Sequence, residues 1–342
     1  MFLKNVEINN ETLRYWMENN FPKSDLFFFT KEDQLIIEAL GPNVMAIPVK
    51  EFFPDSFFND FNTLNIYQLW QIDRQEAAFA CVAHPGAIAS VNSELRKRIF
   101  QIQKKLNRGL LFEWGLIEPF LNGHGMEELL EMLAPYVFEY ESKQYLALQA
   151  GVWTELSTEF KQAFLVGMAG QFIDNVDISE DQINEFRIGY PHIAPYINTF
   201  SAANGANCLA AVLAAVAGGS AETEWLISKW VGGHVFENGL KANHYYHEEG
   251  GSENLLPGDV FVWKNSNGIQ HAAYHLRDGF FFNKHGQTFM NPWQIITKEK
   301  LIDVWGEVGL CVYRQKPLQE NKSEKNFRKN ENKQVHKAIQ EV

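Results

Sequence analysis

The chain has 342 residues, 46% of them hydrophobic, and a formal net charge of −12 from 30 Lys and Arg against 42 Asp and Glu. Its length is that of about two domains at roughly 100–200 residues each, and its apolar content favours a buried core over disorder. The acidic balance argues against non-specific attraction to nucleic acid or anionic lipid. No run approaches the ~20 apolar residues of a membrane span.

The N-terminus, Met1 to Ile8, lacks the charged and apolar regions of a secretory signal, so the expected location is cytoplasmic. Asn9 to Thr12 reads as the capped start of a short amphipathic helix. Between Asp25 and Tyr67 the runs LFFFT, QLIIEAL and VMAIPV read as strands of a small sheet. From Ser93 to Asn107, Leu95, Ile99, Ile102 and Leu106 recur at helical spacing, and the intervening basic residues form a solvated face. Gly123–Glu141, Leu156–Phe172 and Ser179–Phe186 read as helices, and the Pro-punctuated run Gly189 to Pro195 as a linker. The resulting division is 1–115 mixed α/β, 116–190 mainly helical, 191–315 a further domain, and 316–342 a polar tail. That tail carries seven Lys and Arg against four Asp and Glu, too little apolar surface to offset ordering entropy.

The chemistry begins at NGANCLAAVLAAV, Asn204 to Val216. Cys208 opens an Ala-rich helix behind a Gly/Asn loop, where the helix dipole favours a thiolate. Taken alone, the stretch also suits a buried core cysteine. Cys81, Cys208 and Cys311 are odd in number and widely spaced, which fits neither a disulfide framework nor a metal knuckle. Cys81 and Cys311 read as buried strand residues.

A base has to come from elsewhere in the chain. Strands are expected over Asp259–Trp263, His271–Leu276, Phe280–Asn283 and Gly309–Tyr313, and Arg277-Asp278-Gly279 closes a hairpin that His271 enters. With a three-residue loop, Leu276 pairs Phe280, and His271 faces His285 with Asn283 diagonal to it; either residue could then orient the imidazole. With a two-residue loop, both move to the opposite sheet face.

NCLAAV at a helix start, LLPGDVFVW (255–263) and HAAYHLRDGFFFN (271–283) together resemble the catalytic core of NlpC/P60-type cysteine peptidases, within the papain-like superfamily. The resemblance spans roughly residues 196–315. It implies an α+β, papain-like catalytic domain whose N-terminal helix packs on an antiparallel sheet, preceded by a mixed α/β and then a helical region. It further implies Cys208 as nucleophile, held toward His271 as base, with Asn283 as the orienting residue. The expected activity is an intracellular thiol hydrolase or acyl transferase acting on a peptide, amide or other acyl substrate, without cofactor or metal. Asn207-Cys208-Leu209 replaces the frequent Asp-Cys-Ser, and Asn283 stands where His is frequent. The alternative is an inactive papain-like binding or regulatory protein, with the N-terminal region as its partner surface.

Other candidates read as structural. His234, His244 and His247 lie in a Gly232–Gly251 segment that reads as a solvated loop, not a metal site. His275 shares the His271 face but adjoins the turn, so exposure is expected. Asp259 reads as a turn residue, and Trp263, Tyr274, Trp293 and Trp305 as pocket walls or core.

Overall fold

The computed structural model describes residues 1–55, 60–121, 126–249 and 254–316; apart from Lys316, the expected polar tail lies outside the described residues. The strands, in order, are β1 (Phe2–Leu3), β2 (Val6–Glu7), β3 (Asp25–Phe29), β4 (Val44–Pro48), β5 (Phe79–Ala83), β6 (Leu111–Glu113), β7 (Val137–Tyr140), β8 (Lys143–Ala147), β9 (Tyr245–Glu248), β10 (Val260–Asn265), β11 (Gly268–Arg277), β12 (Phe280–Asn283), β13 (Gln294–Thr297) and β14 (Leu310–Gln315). They form a β1-β2 ribbon, three-stranded sheets β3-β5-β4 and β6-β8-β7, and a six-stranded sheet β13-β12-β11-β10-β14-β9. Their ladders are antiparallel and helices are interspersed among them, so the architecture is α+β.

The run Leu26–Phe29 is apolar at every position because β3 is buried on both faces. Phe27 and Phe29 meet Ile99 and Phe100 from the helix Ser93–Lys105, and Leu26 and Phe28 meet Phe52, Tyr67 and Leu106 on the other side. Gln103, fully buried, completes the contact. Its Oε1 accepts from Phe28 N at 2.7 Å and its Nε2 donates to Phe28 O at 2.8 Å, so a side-chain amide stands in for a neighbouring strand.

Two expectations need correction here. QLIIEAL is a helix, Gln34–Leu40, not a strand. Thr30 turns the chain through hydrogen bonds from its N (3.0 Å) and Oγ1 (2.8 Å) to Asp33 Oδ2, and Ile36 and Leu40 then bury at helical spacing. A short apolar run carries no period that separates the two. Of the helix expected over 123–141, residues 123–125 lie outside the described residues, and the remainder ends early, as Met126–Leu133. Pro135 follows it, and the chain then forms the β7–β8 hairpin, whose turn residues Glu141 and Ser142 take positive φ of 49° and 62°.

The six-stranded sheet is covered on both faces. On one side the helix Cys208–Ala217 packs with Val260, Val262, Ala272, Tyr274, Leu276 and Phe282. Its buried alanines, Ala210, Ala211, Ala214 and Ala215, let the helix backbone approach the sheet closely. On the other side Phe261, Trp263, Ala273, Phe281 and Val312 meet Leu301 of the helix Lys298–Trp305. Part of the expected Gly232–Gly251 loop is structured: Gly233–Ala242 is a helix that buries Phe236 and Leu240, and Tyr245–Glu248 is edge strand β9. Gly250 and Gly251 lie outside the described residues. Among the described residues no helix is long and apolar enough to cross a membrane.

Candidate functional site

Asn207 places Cys208 at the first position of its helix. Its Oδ1 accepts from Ala210 N (3.0 Å) and Val231 N (3.3 Å), while its Nδ2 donates to Val231 O (2.8 Å). One amide thus caps the helix and pairs the backbone N–H and C=O of a residue 24 positions downstream, which an ionised Asp cannot do for want of a donor.

The preceding loop is tied to the N-terminal third of the chain. Trp16 Nε1 donates to Ser201 O (2.9 Å), Asn20 Nδ2 to Ala202 O (3.0 Å), and Asn204 Nδ2 to Asn62 Oδ1 (2.7 Å). Gly205 N donates to Gln287 O (2.8 Å), and Gly205 holds φ +118°, a conformation L side chains rarely adopt.

The hairpin resolves the question of register. Its loop is the two-residue Asp278-Gly279, both at positive φ (53° and 76°), with Arg277 paired to Phe280. A bulge then shifts the register between His275 and Arg277, so that Tyr274 pairs Phe282 and His275 pairs Phe281. The extra residue, Leu276, restores the parity expected of a three-residue loop, and the Tyr190 hydroxyl donates to its carbonyl. His271 and Asn283 consequently share a face.

On that face the His271 ring, fully buried, lies 2.7 Å from Asn283 Oδ1 through Nε2. An amide oxygen only accepts, so Nε2 carries the proton and Nδ1 carries the lone pair. Nδ1 is buried and has no hydrogen-bond partner. Trp305 stacks on the ring at 4.1 Å with planes 5° apart. His285 stacks 5.7 Å from His271 without a hydrogen bond to it; its Nδ1 accepts from Trp305 Nε1 (3.2 Å), and its Nε2 lies 2.9 Å from the Asp174 carboxylate. Burial, reinforced by His285, pushes the His271 imidazole down to about 3.

Cys208, partly buried, belongs to the other face. Its helix packs with Ala272 and Tyr274, the alternate residues of β11, so the expected orientation of the helix toward His271 itself is not what forms. The thiol lies against the backbone N–H of Ala272 and near the Lys284 ammonium. That N–H is open because β11 alternates: His275 N donates toward Asp259, so Ala272 N points toward β12, whose last described pair with β11 is Tyr274–Phe282. Cys208 and His271 thus flank one stretch of backbone, and no hydrogen bond joins sulfur to ring. Burial outweighs the helix start and the nearby N–H groups, and pushes the thiol up to about 11, against the depressed value expected from position alone.

Lys284 escaped the sequence reading. It is 0% exposed and donates through Nζ to Thr288 O (2.9 Å) and to the Asn291 carbonyl. Desolvation brings it down to about 7, while Cys208 pulls the other way. The signal was available in parity, because Lys284 stands two residues after Phe282, which faces the Ala-rich helix.

The residues set aside also differ in detail. His275 is buried, not exposed: Nδ1 lies 2.7 Å from Leu256 O, and Nε2 accepts from Gly279 N at 3.3 Å. Its ring nitrogens are therefore occupied in holding the turn. Asp259 closes its turn as expected, Oδ2 accepting from Leu256 N (2.8 Å), and is in addition the buried partner of Arg314, which donates at 2.8 Å and 2.7 Å. Cys81 is buried, and desolvation lifts it to about 12; Cys311 is only partly buried, unlike its expected core position. His234 lies on the helix Gly233–Ala242, bonded to Asn238, and His247 on β9 against the Tyr313 ring. Among the described residues no group of three or more His, Cys, Asp or Glu could hold a metal ion.

No protein-family model, curated protein or solved structure matches this chain.

Proposed function

We propose that the chain is a thiol hydrolase or acyl transferase on a papain-like scaffold, with residues 191–315 as the catalytic unit and a peptide, amide or related acyl bond as substrate. Cys208 is the nucleophile, His271 the base and Asn283 the residue that orients it. The observation that carries this reading is the 2.7 Å His271–Asn283 bond, which commits Nε2–H to the amide and leaves Nδ1 unpartnered one residue from the Ala272 N–H that faces the thiol.

With the thiol raised and the imidazole lowered, the resting pair is neutral, so proton transfer accompanies attack. Nδ1, across the β11 backbone from the sulfur, takes the thiol proton through an intervening water as sulfur bonds to the carbonyl carbon and the π pair moves to oxygen. The Cys208 N–H is the natural oxyanion donor, and the Lys284 cation offsets the charge forming nearby. Collapse re-forms the carbonyl and expels the amine, which receives the proton from His271. Water or an acceptor then releases the acyl group.

A second reading is favoured by the raised thiol and by the missing sulfur–imidazole hydrogen bond: a binding or regulatory protein on the same scaffold, its N-terminal region serving as partner surface. Iodoacetamide labelling followed by peptide mapping separates the two. The catalytic reading expects Cys208 to alkylate faster than Cys81 and Cys311 in the folded protein and to slow in His271→Ala. Equal rates for Cys208 and Cys311, unchanged in His271→Ala, leave only the binding reading.

A further inference from the structure

A cavity of about 120 Å³ lies where three parts of the chain meet, bounded by Phe21 and Asn65 from the N-terminal region, Met168 and Phe172 from the helical region, and Asn204 and Phe289 beside the Cys208 loop. That is roughly ten times the space one water needs. Its lining is mainly apolar, and Phe172, 39% exposed, marks where it reaches solvent.

One polar side chain in this lining stands out. Asn65 is 5% exposed, and its Nδ2 donates to Phe61 O at 2.8 Å, which fixes the amide orientation. The remaining end, Oδ1, is buried without a partner. Three neighbouring amide ends are committed elsewhere: Asn20 Nδ2 donates to Ala202 O, Asn204 Nδ2 donates to Asn62 Oδ1, and Asn204 Oδ1 accepts from Phe289 N. A buried acceptor left unsatisfied is costly, and a ligand donor would relieve it.

We propose that this cavity is a small-molecule site for a compact apolar group bearing one hydrogen-bond donor, with the donor engaging Asn65 Oδ1 and the apolar body filling the space beside Met168 and Phe289. An amide N–H or hydroxyl on a short aliphatic chain has this chemistry. Apolar cavities with a few fixed polar groups are the general form of small-ligand sites. The site needs no chemistry at Cys208, so it stands or falls apart from the catalytic reading.

The test uses the full chain and two isosteric probes, N-pentylacetamide and methyl hexyl ketone, which differ by N–H against CH₂. Dissociation constants come from ligand-observed NMR or calorimetry. Wild type is expected to bind the amide, and Asn65→Leu to shift the amide-to-ketone affinity ratio about tenfold toward the ketone, the loss expected of one buried hydrogen bond. Met168→Trp fills the space and abolishes binding of both probes. Met168→Ala, which has less risk to folding, enlarges the cavity and improves binding of N-heptylacetamide relative to N-pentylacetamide. Absence of amide binding in wild type, a ratio unmoved by Asn65→Leu, or a chain-length preference unmoved by Met168→Ala overturns the proposal. Cys208→Ala leaves the dissociation constants unchanged, whatever its effect on turnover.

Discussion

His271 donates its Nε2 proton to Asn283 Oδ1 across 2.7 Å of buried space, twelve residues apart in sequence. The bond selects the imidazole tautomer and turns the lone pair of Nδ1 to the side of the ring that has no partner. Asn283 does this only because parity around an intervening turn places it on the His271 face.

Replacing Asn283 with Ala removes the acceptor and strands a buried ring donor, at a stability cost of about 1–3 kcal/mol. Turnover is expected to fall about 10- to 100-fold, part of the roughly 10²–10⁴ that a positioned base supplies. Asn283→Asp keeps an acceptor and adds charge, so it raises the imidazole from about 3. Ring-proton NMR titration reads that shift, and an unmoved titration in Asn283→Asp rejects the contact.

Acid should test the buried imidazole. The His271 value falls from an ordinary 6.5 to about 3 in the folded chain, so between these values the unfolded chain binds the extra proton. Stability from this group is therefore present above pH 6.5 and is lost as pH falls toward 3. Urea unfolding at stepped pH is expected to show a shallower acid decline for His271→Gln than for wild type. Parallel declines would mean that His271 is not shielded as described.

Lys284 gives the corresponding experiment in base. Its folded value near 7 lies below its ordinary 10.5, so the unfolded chain binds more protons between the two, and stability from this group rises with pH across that window. Lys284→Met is expected to flatten this rise. Urea unfolding at stepped pH measures it, and an undiminished rise in the variant would mean that Lys284 is not desolvated as described.

Asn207→Asp retains the cap on Ala210 but loses the donor to Val231 O. A cost of about 1 kcal/mol is expected, against about 1–2 kcal/mol for Asn207→Ala, which also loses the cap. Chemical denaturation of both variants checks the order, and a larger loss for Asp than for Ala would refute the bidentate role.

Much of the site was legible where pattern and local chemistry coincide. An Asn cap before an unbroken Ala-rich run gives the Cys208 helix, and apolar alternation around Asp278-Gly279 gives the hairpin. What escaped depended on tertiary contacts. Lys284 carries a charge, and a single sequence assigns charge to solvent unless parity is followed past the end of a strand. His275 next to a turn looked exposed, but the turn folds its own N–H onto the ring. The helix Gly233–Ala242 begins on glycine and reads as loop in the sequence, because its stability rests on the tertiary burial of Phe236 and Leu240. The orientation of Cys208 relative to His271 turned on which face of β11 the helix covers, and alternating residues left both faces apolar enough to serve.

The bulge at Leu276 makes the hairpin sensitive to length as well as to composition. Deleting that one residue would leave the Asp278-Gly279 turn and its flanking pairs able to form, yet every side chain of β11 before it would exchange faces relative to β12. His271 would then point toward the Ala-rich helix while Asn283 kept its place, parting imidazole from amide without changing either. A single codon's worth of backbone thus separates a chain that can orient its histidine from one that cannot.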